Sequence, residues 1–237
     1  MLDLSIIIIN KNYLRFLKKC INSCLNQNTN YQYEVILVDD GSEDDSVMYA
    51  KKISNKKFSF IQTKSKGIEW AANRGFEKSK SKYVVRVDSD DYIDKNFVHY
   101  SLNEINKSRK AFVYSDYIQI NSTDRNKEKI SLPNFNEKEI FQRGDFLATG
   151  TVYRRNLIKK IGYYNEKFKN SGLENYELIL RLIKKKYSGK KINKFLFFYR
   201  KHINNLSIIK KKKITNYGKK MFRKMNLGQY SRNKFHP

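Results

Sequence analysis

The run Leu4-Ser-Ile-Ile-Ile-Ile-Asn10 leaves the chain few folds to choose from. It lacks the apolar-polar alternation of a half-exposed strand, so it suits a strand covered on both faces, as in a parallel sheet. Leu14, Leu17, Ile21 and Leu25 then recur at helical spacing, and Glu34-Val-Ile-Leu-Val-Asp-Asp40 repeats the buried-strand pattern and ends in carboxylates. Together they make a β-α-β unit. Gly41 to Ser46 supplies a turn and a cap for a helix through Ile53, with Asp45 or Ser46 opening it. Phe58 to Gln62 is a third strand, Gly67 to Ser79 a helix, and Tyr83-Val-Val-Arg-Val-Asp88 a fourth strand that again ends in acids. Such alternation predicts a doubly wound parallel sheet, whose ligands sit beyond the carboxyl ends of its strands.

The later elements are less regular. Asp94 to Lys107 is expected to be helical, Ala111 to Ile120 a strand, and the polar stretch Asn121 to Glu137 a mobile surface loop. Phe146 to Tyr153 is expected to resume strand character, Asn156 to Ile161 to form a short helix, Glu174 to Lys186 an amphipathic helix, and Phe195 to Tyr199 a last short strand. The 237 residues suit one α/β domain with an appendage. No run reaches the roughly 18 apolar residues of a membrane span, and the opening residues lack the marks of a leader. Cys20 and Cys24 share a helix face without further ligands, which fits two reduced thiols and a cytoplasmic setting. His99, His202 and His236 are too scattered to form a metal site alone.

The formal charge is +26, and no acid follows Glu177. From Leu178 onward there are 19 Lys and Arg, Lys210 to Lys213 among them. That segment either seeks anions, such as phospholipid headgroups, nucleic acid or phosphorylated carriers, or is a solvated basic tail.

The chemistry gathers at the acidic strand ends. Asp88-Ser-Asp-Asp91 brings three carboxylates together, and oxygen-only ligation of that kind suits Mg2+ or Mn2+; the alternative is an acidic turn before a helix. Asp39-Asp40-Gly41-Ser42 ends the neighbouring strand, where Asp40 could accept hydrogen bonds from a base imide and Gly41 allows a tight turn. Two acidic strand ends facing one crevice suit a nucleotide with a metal beside it.

Ser5-Ile-Ile-Ile-Ile-Asn-Lys-Asn12, Val38-Asp-Asp-Gly-Ser42, Gly67-Ile-Glu-Trp-Ala-Ala-Asn-Arg-Gly75, Asp88-Ser-Asp-Asp91 and Gly172-Leu-Glu-Asn-Tyr-Glu-Leu178 resemble, in this order, the motifs of family 2 inverting glycosyltransferases. The resemblance runs from Ser5 to about Ser207. It implies a GT-A fold, with a Rossmann-like, mostly parallel sheet flanked by helices, over residues 1–207. Residues 1–110 would be the nucleotide-binding half and 111–207 the acceptor and catalytic half, with 121–170 shaping the acceptor pocket. A basic helical tail would occupy 208–237. By the same resemblance Asn10, Asn12, Asp40, Lys64 and Asn73 would line the nucleotide pocket. Asp90 would hold ribose and diphosphate, Asp90 and Asp91 the metal, and Arg200 and His202 the diphosphate, with His202 also within reach of the metal. Lys64 and Arg74 could equally be solvated charges, and Asn73 a packing residue.

An inverting transfer needs a base for the acceptor hydroxyl. Similar enzymes present Glu-Asp at a helix start with the Asp favoured, but here Asn175, an amide, follows Glu174. The base is then Glu174, with Glu177 as the alternative, or activity is lost. The implied donor is a UDP-linked sugar, and the acceptor a surface glycan or lipid-linked oligosaccharide. The basic tail suits docking on an anionic inner membrane face. Two rivals stay open: a catalytically silent member of the family, and a nucleic-acid binder using the tail, which the acids at the crevice oppose. The absence of G-x-G-x-x-G and Walker sequences disfavours dinucleotide enzymes.

Overall fold

The structure, a computed structural model, describes residues 2–143 and 150–230. Four strands come first: β1 (Leu4–Asn10), β2 (Tyr33–Asp39), β3 (Phe58–Gln62) and β4 (Tyr83–Asp88). Helices α1 (Leu14–Leu25), α2 (Ser46–Lys51) and α3 (Ile68–Lys78) connect them, and they pair in parallel in the order β3-β2-β1-β4. The Rossmann-like alternation therefore forms as expected.

Side chains of β1 divide by parity, as a pleated strand requires. Ile7 and Ile9 enter the core on one face, with Phe76 of α3, while Leu4, Ile6 and Ile8 enter the core on the other, with Leu17 and Ile21 of α1. All seven residues of β1 are buried, which is why the run carries no alternation. Gly75 lets α3 lie close to β1: a Cβ there would stand 2.4 Å from Ile7 Cγ2. Cys20 and Cys24 are free, buried thiols in the same core.

Beyond β4 the sheet becomes mixed. β5 (Tyr92–Ile93), α4 (Phe97–Ser108), β6 (Phe112–Asn121), β7 (Lys127–Ile130), α5 (Glu137–Arg143), β8 (Val152–Arg154), α6 (Arg155–Ile161), α7 (Glu174–Lys184) and β9 (Gly189–Lys201) follow. β8 runs antiparallel to β4 and β6, β9 parallel to β6, and β5 antiparallel to β9.

Three expectations are corrected here. The stretch after Ile120 is a hairpin and not a loop: β7 pairs antiparallel with β6, and Asn121 Oδ1 ties the turn by accepting from Thr123 N and Arg125 N. Its Lys-Glu-Lys pattern lies on an exposed edge and carries no apolar signal. α4 starts at Phe97, because the Asp94 side chain and carbonyl take Asn96 N and Phe97 N as a turn before it. The last strand spans Gly189–Lys201, since the lysines of its first half sit on partly exposed backbone paired with β6. The strand expected at Phe146 to Tyr153 is described only in its last part, where Val152 and Tyr153 belong to β8; residues 144–149 lie outside the described residues.

The chain closes with α8 (Leu206–Ile209) and α9 (Lys211–Met225). α9 turns Ile214, Tyr217, Met221 and Phe222 into the core that holds Tyr176 and Leu178 of α7, and stacks Phe222 on Tyr176 at 6.1 Å between centroids. Asn226, left-handed at φ 53°, ends the helix, with Leu227 N returning to Phe222 O. The lysines of α9 lie on its outer face. Among the described residues no helix is long and apolar enough to cross a membrane. Phe222→Ala should lower the unfolding free energy by about 3–5 kcal/mol, while Lys220→Ala should change it by less than about 0.5 kcal/mol; urea denaturation of the two variants measures the contrast.

Candidate active site

β1, β2 and β4 end side by side, so Asn10, Asp39 and Asp88 arrive at one edge of the sheet: Asn10 is level with Asp39 and Ile9 with Asp88. Beyond this edge lies a pocket of about 400 Å³. Asn10, Asn12, Asp40, Asp90, Asp91 and Glu174 all line it, so the two acidic strand ends do open onto one cavity.

The carboxylates of the β2 end build the floor. Asp39, fully buried, accepts from Asn10 Nδ2 at 2.8 Å, from Ser42 N at 2.8 Å and from Ser42 Oγ at 2.6 Å. Asp40 accepts from Thr63 Oγ1 at 2.8 Å, Lys66 N at 2.8 Å and Gly67 N at 2.7 Å. Its first task is thus to fold the β3–α3 connection against the pocket that it lines. Gly41 takes φ 74° at this point, where a Cβ would meet Ser65 N at 2.9 Å. Asn12, also left-handed at φ 59°, is fixed through its N–H on Ser42 Oγ and its Oδ1 under Glu43 N.

Arg86 organises the other wall. It stands in the middle of β4, 3% exposed, and grips Asp88 with two bonds, Nε to Oδ1 at 2.7 Å and Nη2 to Oδ2 at 2.8 Å. Its Nη1 reaches Glu174 Oε1 at 2.7 Å, at the first turn of α7. Burial opposes the guanidinium charge, but the carboxylates of Asp88 and Glu174, with Tyr164, outweigh it and hold its pKa well above the usual value. Burial also raises Asp88, against the lowering effect of Arg86, with Asp90 and Glu174 adding to the rise. The second oxygen of Glu174 accepts only a longer bond, 3.3 Å from Ser171 Oγ. Asn175 lines the pocket and takes the Tyr164 hydroxyl on Oδ1.

Asp90 and Asp91 are held from behind by the β9 end. His202 Nε2 lies 3.0 Å from Asp90 Oδ2, and Arg200 N donates to Asp91 Oδ1 at 2.7 Å. Asn204 N donates to His202 Nδ1, so Nε2 carries the proton that goes to Asp90. Arg200 does not face the pocket, as the resemblance had implied. Its guanidinium, 2% exposed, bonds Asp90 O at 2.7 Å, Asn121 O at 2.9 Å and Asp124 Oδ1 at 2.6 Å, and lies over the Phe16 ring. It braces the carboxylate loop from below.

Lys64 and Asn73 are likewise placed away from the pocket lining. Lys64 is exposed on the β3–α3 connection. Asn73 is buried and pins the segment before α7, donating to Tyr164 O and Glu166 Oε1 and accepting from Tyr164 N. Arg74 pairs with Glu77 and Glu166. His99 is exposed on α4 beside Asn103, and His236 lies outside the described residues.

Three further residues shape the site. Arg86 had a visible signal, a lone cation inside a β-branched run. Glu69 is buried on α3 and accepts from Asn170 N and Ser171 N, holding the loop before Glu174; burial and the nearby Glu174 charge raise its pKa. Tyr13 lines the pocket, and burial together with Asp90, Asp88 and Asp91 pushes its hydroxyl up to about 12. Glu69 lies within the Gly67–Gly75 motif, which does not reveal its role, and Tyr13 lies in no motif. Among the described residues no group of three or more His, Cys, Asp or Glu is arranged to hold a metal ion.

The family model of Glycosyl transferase family 2 matches residues 5–162. Glycosyltransferase GlyA of Streptococcus pneumoniae is 26% identical over 214 residues, covering 83% of this chain and 30% of GlyA. An uncharacterized glycosyltransferase of Haemophilus influenzae is 30% identical over 178 residues, 71% of this chain and 67% of that protein. The crystal structure of S. aureus TarS 1-349 in complex with UDP-GlcNAc superposes with a TM-score of 0.76 at 18% identity, covering 97% of this chain and 68% of TarS 1-349. The chain thus spans under a third of GlyA, and its likeness to TarS is one of fold: the GT-A fold. With the match extending over more than half of its length, the chain belongs to glycosyl transferase family 2.

Proposed function

We propose that this chain transfers a sugar from a nucleoside-diphosphate donor to a hydroxyl of a glycan or lipid-linked acceptor, with inversion at the anomeric carbon. The observation that carries the reading is the shared pocket: Asp40, Asp90, Asp91 and Glu174 line one cavity, beneath which Arg86 joins Asp88 to Glu174. UDP is the proposed nucleotide, supported by the UDP and UDP-GlcNAc held by TarS, which shares the fold. The relatives include proteins named cholesterol galactosyltransferase and chondroitin synthase, which supports a lipid or a glycan as acceptor.

In this reading the floor built by Asp40 receives the base, and Asn10 and Asn12 lie beside it. Glu174 accepts the acceptor's hydroxyl proton on Oε2, the oxygen that Arg86 leaves free. The acceptor oxygen bonds the anomeric carbon as the bond to the diphosphate breaks on the opposite side, and the diphosphate leaves with that electron pair.

Mg2+ or Mn2+ is the proposed cofactor, and it would supply charge for the departing diphosphate. The donor set fits a hard cation that keeps waters and binds through substrate phosphates. Asp90 and Asp91 line the pocket, and His202 Nε2 is the ring nitrogen at Asp90. Each carboxylate has one oxygen engaged, Asp91 by Arg200 N and Asp90 by His202 Nε2, but Asp91 is buried and Asp90 partly exposed, so Asp90 is the leading ligand. For His202 to join, its Nε2 proton must move to Nδ1 and Asn204 N must turn away.

Glu174→Gln should preserve donor binding and lower acceptor-dependent UDP release by about 10²–10⁴-fold; full turnover in this variant would remove the base assignment. Arg86→Lys keeps a charge but loses the fork, so kcat should fall well before the donor KM changes. Asp90→Asn should weaken Mn2+-dependent UDP binding by at least about tenfold and leave any metal-free binding unchanged, as titration calorimetry with and without EDTA would measure. A catalytically silent chain, the reading that Asn175 keeps open, would bind UDP without releasing it from any sugar donor.

A further inference from the structure

The geometry points to a membrane-docking surface at the mouth of the pocket: the stretch from Lys201 to Lys213 docks on an anionic bilayer. Three large apolar side chains there face solvent, Ile203 at 83% exposure, Ile208 at 53% and Ile209 at 60%. Such residues occur singly on many surfaces, but here they are gathered on thirteen consecutive residues that also carry Lys201, Lys210, Lys211, Lys212, and Lys213. Among the described residues, none of these five ammonium groups has a carboxylate within ion-pair distance. Exposed isoleucines flanked in sequence by lysines outside any ion pair among the described residues match the two requirements of an interfacial anchor, apolar side chains to insert and cations to meet lipid phosphates. Nucleic acid would engage the lysines but leaves the isoleucines without a role.

The stretch is also built rigidly into the site. Buried Asn205 donates to Arg200 O and accepts from His202 N, and its carbonyl takes Ile208 N and Ile209 N, so the turn and α8 form one bonded unit. Asn205, Leu206 and Ser207 line the pocket itself, between the exposed isoleucines. Burial and the charge of Lys213, with smaller contributions from Lys169 and Lys11 at the pocket wall, lower the pKa of Lys210 against the opposing charge of Glu69. A bilayer held by this surface therefore lies against the pocket mouth. That such a bilayer would present a lipid-anchored acceptor to the pocket rests on the glycosyl transfer reading; the docking surface itself does not.

The test is co-sedimentation of the full chain with vesicles of phosphatidylcholine alone or with phosphatidylglycerol added. Wild type should bind the anionic vesicles, and more weakly in high salt. The variant with Ile203→Ser, Ile208→Ser and Ile209→Ser should bind them at least about tenfold more weakly with an unchanged melting temperature. Lys211→Gln with Lys212→Gln should erode the preference for phosphatidylglycerol. Equal binding by wild type and the isoleucine variant would overturn the proposal, as would tight binding to a single-stranded oligonucleotide with none to vesicles. UDP release from a sugar donor is measured in parallel: release without vesicle binding sinks the surface alone, and vesicle binding without release sinks the catalytic reading alone.

Discussion

A single buried guanidinium holds the candidate active site together. Arg86 occupies a position on β4 where the strand pattern calls for an apolar side chain, and its charge is tolerated only because Asp88 and Glu174 close on it from two elements far apart in sequence. Replacing Arg86 by a neutral side chain would leave two buried carboxylates without their cation, a change that typically costs about 3–5 kcal/mol. The grip also ties the start of α7 to the sheet, since Glu174 is the first residue of that helix. The position of Glu174 and the integrity of the acidic strand end are thus one constraint.

The remaining buried polar groups continue this logic. Asp39 and Asp40 fold the connections after β2 and β3, Glu69 fixes the loop before α7, and Arg200 ties the Asp90 backbone to the β6–β7 turn. Each of these side chains organises backbone that faces the cavity. The pocket is therefore lined largely by groups whose positions are set from below, as preorganised binding requires.

This division explains what could be read from the sequence. β1 to β4 were legible because strands buried on both faces leave continuous apolar runs, and the acidic ends stood out against them. Asn10, Asn12, Asp40, Asp90, Asp91 and Glu174, singled out by the family resemblance, line one cavity. Lys64, Asn73 and Arg200 do not, because a motif shows which residues recur and not which way a side chain turns: Asn73 turns inward to a loop and Arg200 beneath one. The β6–β7 hairpin was hidden by its exposed, lysine-rich edge, and Glu69 by contacts with residues some hundred positions away.

The position of α9 has a consequence for how the chain comes to be folded. The strands and helices up to α3 leave the ribosome before the elements that complete their cores, and α7 is covered in turn by a helix made some thirty residues after it. Until Phe222 and Met221 arrive, Tyr176 lacks part of its cover, and Glu174 sits on a helix that is packed on one side only. Synthesis thus completes the acidic ends of β1, β2 and β4 before it steadies Glu174, and the lysines of α9 keep its apolar stripe soluble while it waits to dock.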